Sequence, residues 1–142
     1  MSERVRKLTS TPSWSSLWAT NTSITSRTAS TTAVNRVFGE SQIYNKWEIG
    51  SAMNVVIRLF KNEFDGCTLT ELKYDEEISG KAGGAWAEHY GAEQGIVLVS
   101  TFRVDDTGGD GSLNPNSTYK NYQWILTRSG IGAWKLQTWG YG

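Results

Sequence analysis

Few side chains in this sequence have the spacing that catalysis or metal binding requires. His89 is the only histidine and Cys67 the only cysteine, so a zinc site would need carboxylates to complete its ligand set. No serine lies in a G-x-S-x-G motif, which positions the nucleophile of many hydrolases. We therefore interpret His89 as a solvated or partly packed side chain and Cys67 as a small buried one.

Glu76 is the one candidate for acid–base chemistry. Such chemistry needs a carboxylate or histidine that points into a pocket and has a raised pKa. The alternation of residues 68–77 predicts a strand, and Glu76 would lie at its end on the inner face. An isomerase or dehydratase would use Glu76 as base and Tyr74 as hydrogen-bond donor. The alternative is a solvated acidic strand end, and a register shift of one residue would exchange the two faces.

A glycine-rich loop after residue 104 carries three carboxylates, Asp105, Asp106 and Asp110. Carboxylates in such a turn can bind a hard cation such as calcium. Asp106, Asp110 and Gly111 match the first, fifth and sixth positions of a calcium-binding loop, but Ser117 replaces the glutamate of the last position. The alternative is a long connection in which Asp and Gly allow tight turns. We predict no metal and no other cofactor.

Aromatic side chains offer a second kind of site, because ligand pockets are mostly apolar with a few polar groups. The inner face of the predicted sheet would place aromatic rings at a pocket rim and two hydroxyl groups as polar anchors. These candidates are Tyr74, Trp86, Ser100, Tyr122, Trp124 and Thr138. Trp139 is predicted to face outward, where it would contact a partner or be covered by the N-terminal segment.

The charge distribution argues against nucleic-acid binding. Residues 1–46 contain six basic and two acidic residues, a net charge of +4, and residues 47–142 contain eight basic and twelve acidic residues, a net charge of −4. Phosphate binding needs a basic face, which the acidic remainder does not supply. No apolar run approaches the length of a membrane span. The expected partner is therefore a small molecule or a protein.

The elements that would position these residues begin with a helix over residues 46–64, since Asn45 and Glu48 have capping-box spacing and apolar residues then recur every three or four positions. After the strand at 68–77, residues 85–90 predict a short helical turn. Strands follow at 96–104, 119–128 and 133–141, the last two as a hairpin. One long helix on a curved antiparallel sheet of about four strands, with a short second helix, is an α+β fold.

The first 40 residues differ from the rest in composition. Residues 9–32 contain fifteen Ser and Thr in twenty-four positions. The remaining apolar side chains are too few to offset the entropy that is lost when such a segment is ordered. We divide the chain into a tail or linker over residues 1–40, with room for one short strand, and a domain over residues 41–142. Arg4, Arg6 and Lys7 are followed by no apolar stretch, so no export signal is predicted and the compartment stays unassigned.

Four sequence stretches resemble an uncharacterised bacterial domain family: FDGCTLT at 64–70, YDEE at 74–77, GGDGSLNPNSTY at 108–119 and WKLQTWGYG at 134–142. The resemblance spans about residues 40–142. It implies a cone-shaped α+β fold similar to the nuclear-transport-factor and ketosteroid-isomerase group, of the cystatin-like kind. It also implies an extracytoplasmic setting, as a lipoprotein or as an appendage of a membrane sensor peptidase. The family implies no activity.

Three functions follow from these features. The first is a non-enzymatic binding or accessory module, with a small apolar ligand or peptide in the mouth of the cone. The second is the isomerase- or dehydratase-type enzyme that uses Glu76, which requires a buried carboxylate with a raised pKa. The third is a protein-interaction appendage with no pocket, which predicts a filled core and an apolar surface patch.

Overall fold

The computed structural model of the protein describes residues 29–109 and 111–141. These residues form an α+β fold with two helices and one open, mixed sheet of five strands. In chain order the elements are β1 (Asn35–Val37), α1 (Lys46–Glu63), β2 (Cys67–Tyr74), α2 (Glu76–His89), β3 (Gln94–Val104), β4 (Thr118–Arg128) and β5 (Lys135–Tyr141). The strands lie side by side in chain order. β1 pairs parallel with β2, and all later pairs are antiparallel.

Helix α1 confirms the predicted long helix. The Asn45 side chain accepts a hydrogen bond from the Glu48 backbone, and the Glu48 side chain accepts one from the Asn45 backbone, which satisfies two N–H groups at the start of the helix. The helix ends before Gly66, whose φ of +79° favours a residue without a Cβ atom. Its buried stripe matches the predicted periodicity and consists of Ile49, Ala52, Met53, Val56 and Phe60.

The main core lies between α1 and one face of β2–β5. Phe60 contacts Phe102 and Trp124, with ring centroids 5.5 and 6.4 Å apart. Cross-strand partners share a face, and the pairs Tyr74–Leu98 and Leu98–Trp124 place three large side chains under the helix. The intervening residues Val97 and Val99 are also buried, so this part of β3 is apolar on both faces.

Helix α2 is longer than the sequence predicted, and it begins where the strand was expected to continue. β2 ends at Tyr74, and Asp75 caps α2 by accepting a hydrogen bond from the Glu77 backbone at 2.9 Å. Three glycines lower the helix propensity of this stretch and conceal it in the sequence. Gly83 is needed for packing, since a Cβ atom built on it would lie 2.4 Å from the Gly95 carbonyl oxygen.

A β-bulge in β5 exchanges the sheet faces on which its last residues lie, relative to the faces predicted from the sequence. Ile125 pairs with Thr138, whereas Leu126 pairs with Leu136, so Gln137 is an extra residue in the ladder. Beyond the bulge, Trp139 pairs with Trp124 and stacks on it at 5.8 Å. Trp139 therefore lies on the α1 face and not on the predicted opposite face, but 37% of its surface stays exposed. Thr138 lies on the face opposite to α1.

Part of residues 29–40 pairs with the sheet, in the segment that the sequence analysis assigned to a tail or linker with room for one short strand. Ser30 forms an isolated parallel bridge with Thr68, and β1 pairs with residues 71–73 of β2. Ala29, Val34 and Phe38 pack against the main core. Residues 1–28 of the predicted tail lie outside the described residues.

Candidate functional site

The Glu76 carboxylate lies at the first position of α2, not at a strand end. Tyr74 donates a hydrogen bond from its hydroxyl to Glu76 Oε1 at 2.6 Å. The Gln42 backbone donates to Glu76 Oε2 at 3.1 Å, and the Ser41 hydroxyl lies 3.1 Å from the Tyr74 hydroxyl. The two residues proposed as base and donor are thus brought together. Their bonds tie the segment before α1 to the start of α2.

The electrostatics of this pair are opposite to those that a general base requires. The hydrogen bond from Tyr74, followed by that from Gln42, lowers the pKa of Glu76, because both favour the ionised carboxylate. Burial, followed by the Glu76 hydrogen bond, raises the pKa of the Tyr74 hydroxyl. The lowered pKa of Glu76 is the opposite of the raised carboxylate pKa that an isomerase or dehydratase would need.

The predicted pocket is filled by side chains around Trp124. Trp124, Tyr74 and Ser100 retain 0%, 2% and 1% of their accessible surface, whereas residues around a water-sized cavity would keep more. The Trp124 indole donates to the Ser100 hydroxyl at 2.8 Å, and that hydroxyl donates to the Tyr122 carbonyl at 3.3 Å. The proposed polar anchor therefore satisfies the indole within the core.

The other pocket candidates do not gather around Trp124 to line a pocket. Trp86 lies on α2, where its ring stacks on Tyr90 at 6.0 Å and contacts His89 edge-on at 5.7 Å. Thr138 lies on the opposite face of the sheet. Tyr122 is half-buried under aromatic neighbours, and burial raises the pKa of its hydroxyl. These side chains form no common pocket rim.

The acidic loop forms a local turn in its described part. Asp105 Oδ1 accepts hydrogen bonds from the Thr107 backbone at 2.9 Å and from the Thr107 hydroxyl, so this carboxylate is used within the loop. Asp106 is exposed, and Asp110 lies outside the described residues. Residues 29–109 and 111–141 contain no group of three or more His, Cys, Asp or Glu side chains placed to hold a metal. Cys67 is buried at the start of β2, as predicted.

The sequence analysis missed a surface groove between β1 and the first half of α1. The groove has a volume of about 480 Å³, within the range of roughly 300–1,000 Å³ that is typical of binding sites. We call it the Trp47 groove. It is lined by Arg36, Phe38, Lys46, Trp47, Gly50, Ser51 and Asn54.

Trp47 is the most unusual residue of this groove, since 87% of its surface is exposed. It projects from the second residue of α1 and is absent from the buried stripe of that helix. The sequence does contain this signal, because residue 47 falls outside the three- and four-residue spacing of the apolar positions. Gly50 adds no side chain to the groove, and a Cβ atom at this position would lie 3.5 Å from the Phe38 ring.

The charge of the Trp47 groove is positive in an acidic domain. Arg36 and Lys46 line it, and no acidic side chain does. Within the part of the chain that the structure describes, neither Arg36 nor Lys46 forms an ion pair. The arrangement therefore offers two cations, two aromatic rings and small polar groups on one concave surface, and it contains no group with the partners of a nucleophile or a general base.

Comparison of the chain with family models, curated proteins and solved structures gives no match. Neither α1 nor α2 is long and apolar enough to cross a membrane.

Proposed function

We propose that this chain is a non-enzymatic binding module that docks a segment of a partner protein in the Trp47 groove. The observation that carries the proposal is the 87% exposure of Trp47 beside a groove of about 480 Å³. Tryptophan is prominent among residues that dominate binding energy at protein interfaces, where a partner removes the ring from water. A partner that covered Trp47 would bury a large apolar side chain without reorganising the core.

The filled interior supports this function over a ligand enclosed in the domain. Trp124, Tyr74 and Ser100 are packed and hydrogen-bonded to one another or to neighbouring groups. A ligand entering at these residues would have to displace core side chains, at a cost of several kcal/mol. Binding on the outer surface of α1 and β1 has no such cost.

The cone-like relationship to the nuclear-transport-factor and ketosteroid-isomerase group is part of the same proposal. It is supported by the long helix α1 packed across the antiparallel strands β2–β5. In that setting the domain would act as an interaction appendage of an extracytoplasmic or membrane-sensor system. Fold likeness alone assigns no chemistry, so the Trp47 groove carries the functional argument.

The direct experiment is selection of binders from a random peptide display library, followed by affinity measurements on variants. We expect Trp47→Ala to weaken the selected peptides at least tenfold, since truncation of a dominant interfacial tryptophan costs about 2 kcal/mol or more and about 1.4 kcal/mol is already a factor of ten. Ile131→Ala is the matched control, because Ile131 is also a fully exposed apolar residue but lies in the β4–β5 connection.

Retention of affinity by the Trp47→Ala variant, or an equal loss with Ile131→Ala, would contradict the proposed site. A library that yields no binder to the folded domain would contradict peptide binding altogether. Thermal unfolding of both variants checks that the fold is intact, and we expect little change because both side chains project into solvent.

A further inference from the structure

We infer that the occupant of the Trp47 groove is an acidic peptide segment with a large apolar side chain among its carboxylates. This inference rests on the proposed function and adds the chemistry of the partner. It follows from charge complementarity, from the pair of aromatic rings in the groove and from the shape of the surface.

Charge complementarity selects an anionic partner. Arg36 and Lys46 both line the groove, one from β1 and one from the first residue of α1. Neither has an ion-pair partner among residues 29–109 and 111–141. The chain from residue 47 onward has a net charge of −4, so the two cations of the groove contrast with the mean charge of that segment and would attract an acidic partner. Complementary charges of this kind set specificity and association rate.

The aromatic walls select an apolar anchor between the charges. Phe38 and Trp47 line the same groove, and Gly50 leaves space where any other residue would project. A leucine or aromatic side chain of the partner would contact both rings at this point. Ser51 and Asn54 continue the wall along α1, and their side chains can form hydrogen bonds with a peptide backbone.

The shape of the surface favours a peptide over an anionic membrane or a nucleic acid. A membrane surface would contact the projecting indole of Trp47 but would leave the concave part of the groove unfilled. The acidic remainder of the domain would also be repelled by anionic lipid. Two cations are too few for a nucleic acid, whose affinity comes from many phosphate contacts. A peptide strand fills the concavity and meets both cations.

The test uses fluorescently labelled, end-capped pentapeptides with Glu-Glu on each side of Leu, Phe or Trp, and a second set in which Gln replaces every Glu. Binding to the full chain is measured by fluorescence anisotropy. We expect the Glu set to bind at least tenfold more tightly than the Gln set at low ionic strength. The difference should shrink as salt is added, because the two cations are exposed.

Variants of the protein test whether this binding occurs in the groove. Arg36→Gln and Lys46→Gln should each weaken the Glu set about two- to fivefold, as expected for the loss of one exposed charge contact. Lys61→Gln is the matched control, since Lys61 is an exposed lysine in the last turn of the same helix. Gly50→Ala should also weaken binding, because its methyl group would lie 3.5 Å from Phe38 and reduce the groove depth. This backbone is helical, so the variant remains folded.

The outcomes separate the inference from the proposed function. Equal binding of the Gln and Glu sets, both lost in Trp47→Ala, would overturn the acidic partner and leave the peptide groove intact. Binding of the Glu set that is unchanged in both Trp47→Ala and Gly50→Ala would overturn the site itself. Absence of binding by any acidic peptide would overturn the inference. So would sedimentation with phosphatidylserine vesicles that depends on Trp47 while no acidic peptide binds.

Discussion

At the residue scale, Arg128 joins three parts of the structure through one guanidinium group. It forms an ion pair with Glu48 of α1, donates to Gln94 Oε1 of β3 at 2.7 Å and lies 4.3 Å above the Trp134 ring. The Trp134 indole donates in turn to the Glu48 carbonyl at 3.0 Å. These contacts fix the start of α1, and with it Lys46 and Trp47, relative to the sheet.

Arg128→Met should therefore destabilise the fold by about 2 kcal/mol, because it removes two charged hydrogen bonds and a cation–π contact from a nearly buried site. Urea unfolding followed by circular dichroism measures the change. Lys81→Met is the matched control, since Lys81 forms an exposed pair with Glu77 that should contribute less than about 0.5 kcal/mol. Equal effects of the two substitutions would contradict this role of Arg128.

Two glutamates, Glu48 and Glu76, make the stability of the fold depend on pH in the acidic range. Hydrogen bonds from the Asn45 backbone and from Arg128 lower the pKa of Glu48, and the Tyr74 hydroxyl lowers the pKa of Glu76. The unfolded chain, with a glutamate pKa of about 4.3, therefore binds protons at pH values where the folded protein does not. The stabilisation is complete above that pH and is lost as pH falls through the lower folded-state pKa values.

The free energy of unfolding should consequently decrease when the pH is lowered below about 4.3. This decrease should be larger for the native protein than for the Glu48→Gln variant. The difference between the two proteins is expected to be largest near neutral pH and to shrink in acid. Urea unfolding at several pH values measures it. A difference that stays constant from pH 7 to acid, or one that grows, would contradict the lowered pKa of Glu48.

At the element scale, the sequence predicts α1 well and α2 poorly for a physical reason. The apolar stripe of α1 is regular and its capping box is local, so neighbouring residues contain the information. In α2, Gly80, Gly83 and Gly84 weaken the helix pattern. The need for Gly83 arises from contact with Gly95, twelve residues later, which only the tertiary structure shows. The bulge at Gln137 likewise depends on pairing with β4, and it moved Trp139 to the opposite face.

Gly83→Ala should lower stability by about 1–3 kcal/mol, because the added methyl group would meet the Gly95 carbonyl oxygen and push α2 from β3. Gly84→Ala, one residue further along the same helix, has no atom within 4 Å of the added group. It should raise stability by about 0.5–1 kcal/mol through helix propensity. Thermal or urea unfolding of the pair tests the packing of α2, and a shared sign for the two substitutions would contradict it.

At the scale of the whole molecule, the α+β class, α1 and the last three strands could be predicted from the sequence. The candidate sites could not, because each depended on a register or on side-chain packing. Glu76 lies at a helix start instead of a strand end, and Trp124 with Ser100 forms core instead of a pocket rim. The spacing of apolar residues already sets Trp47 apart from the buried stripe of α1. Only the structure shows that Arg36 of β1 and Phe38, which follows β1, line a groove with it.

The central claim is that this domain binds its partner on the outside, at Trp47, and not in its interior. The most direct test is an NMR titration of protein labelled with ¹⁵N at the indole nitrogens of its seven tryptophans, with the tightest peptide from the display selection. We predict that the Trp47 indole signal moves during the titration, while those of Trp124 and Trp134, which donate to Ser100 and Glu48 inside the fold, stay in place. Movement of the Trp124 signal with an unmoved Trp47 signal would contradict the account and place the ligand in the core.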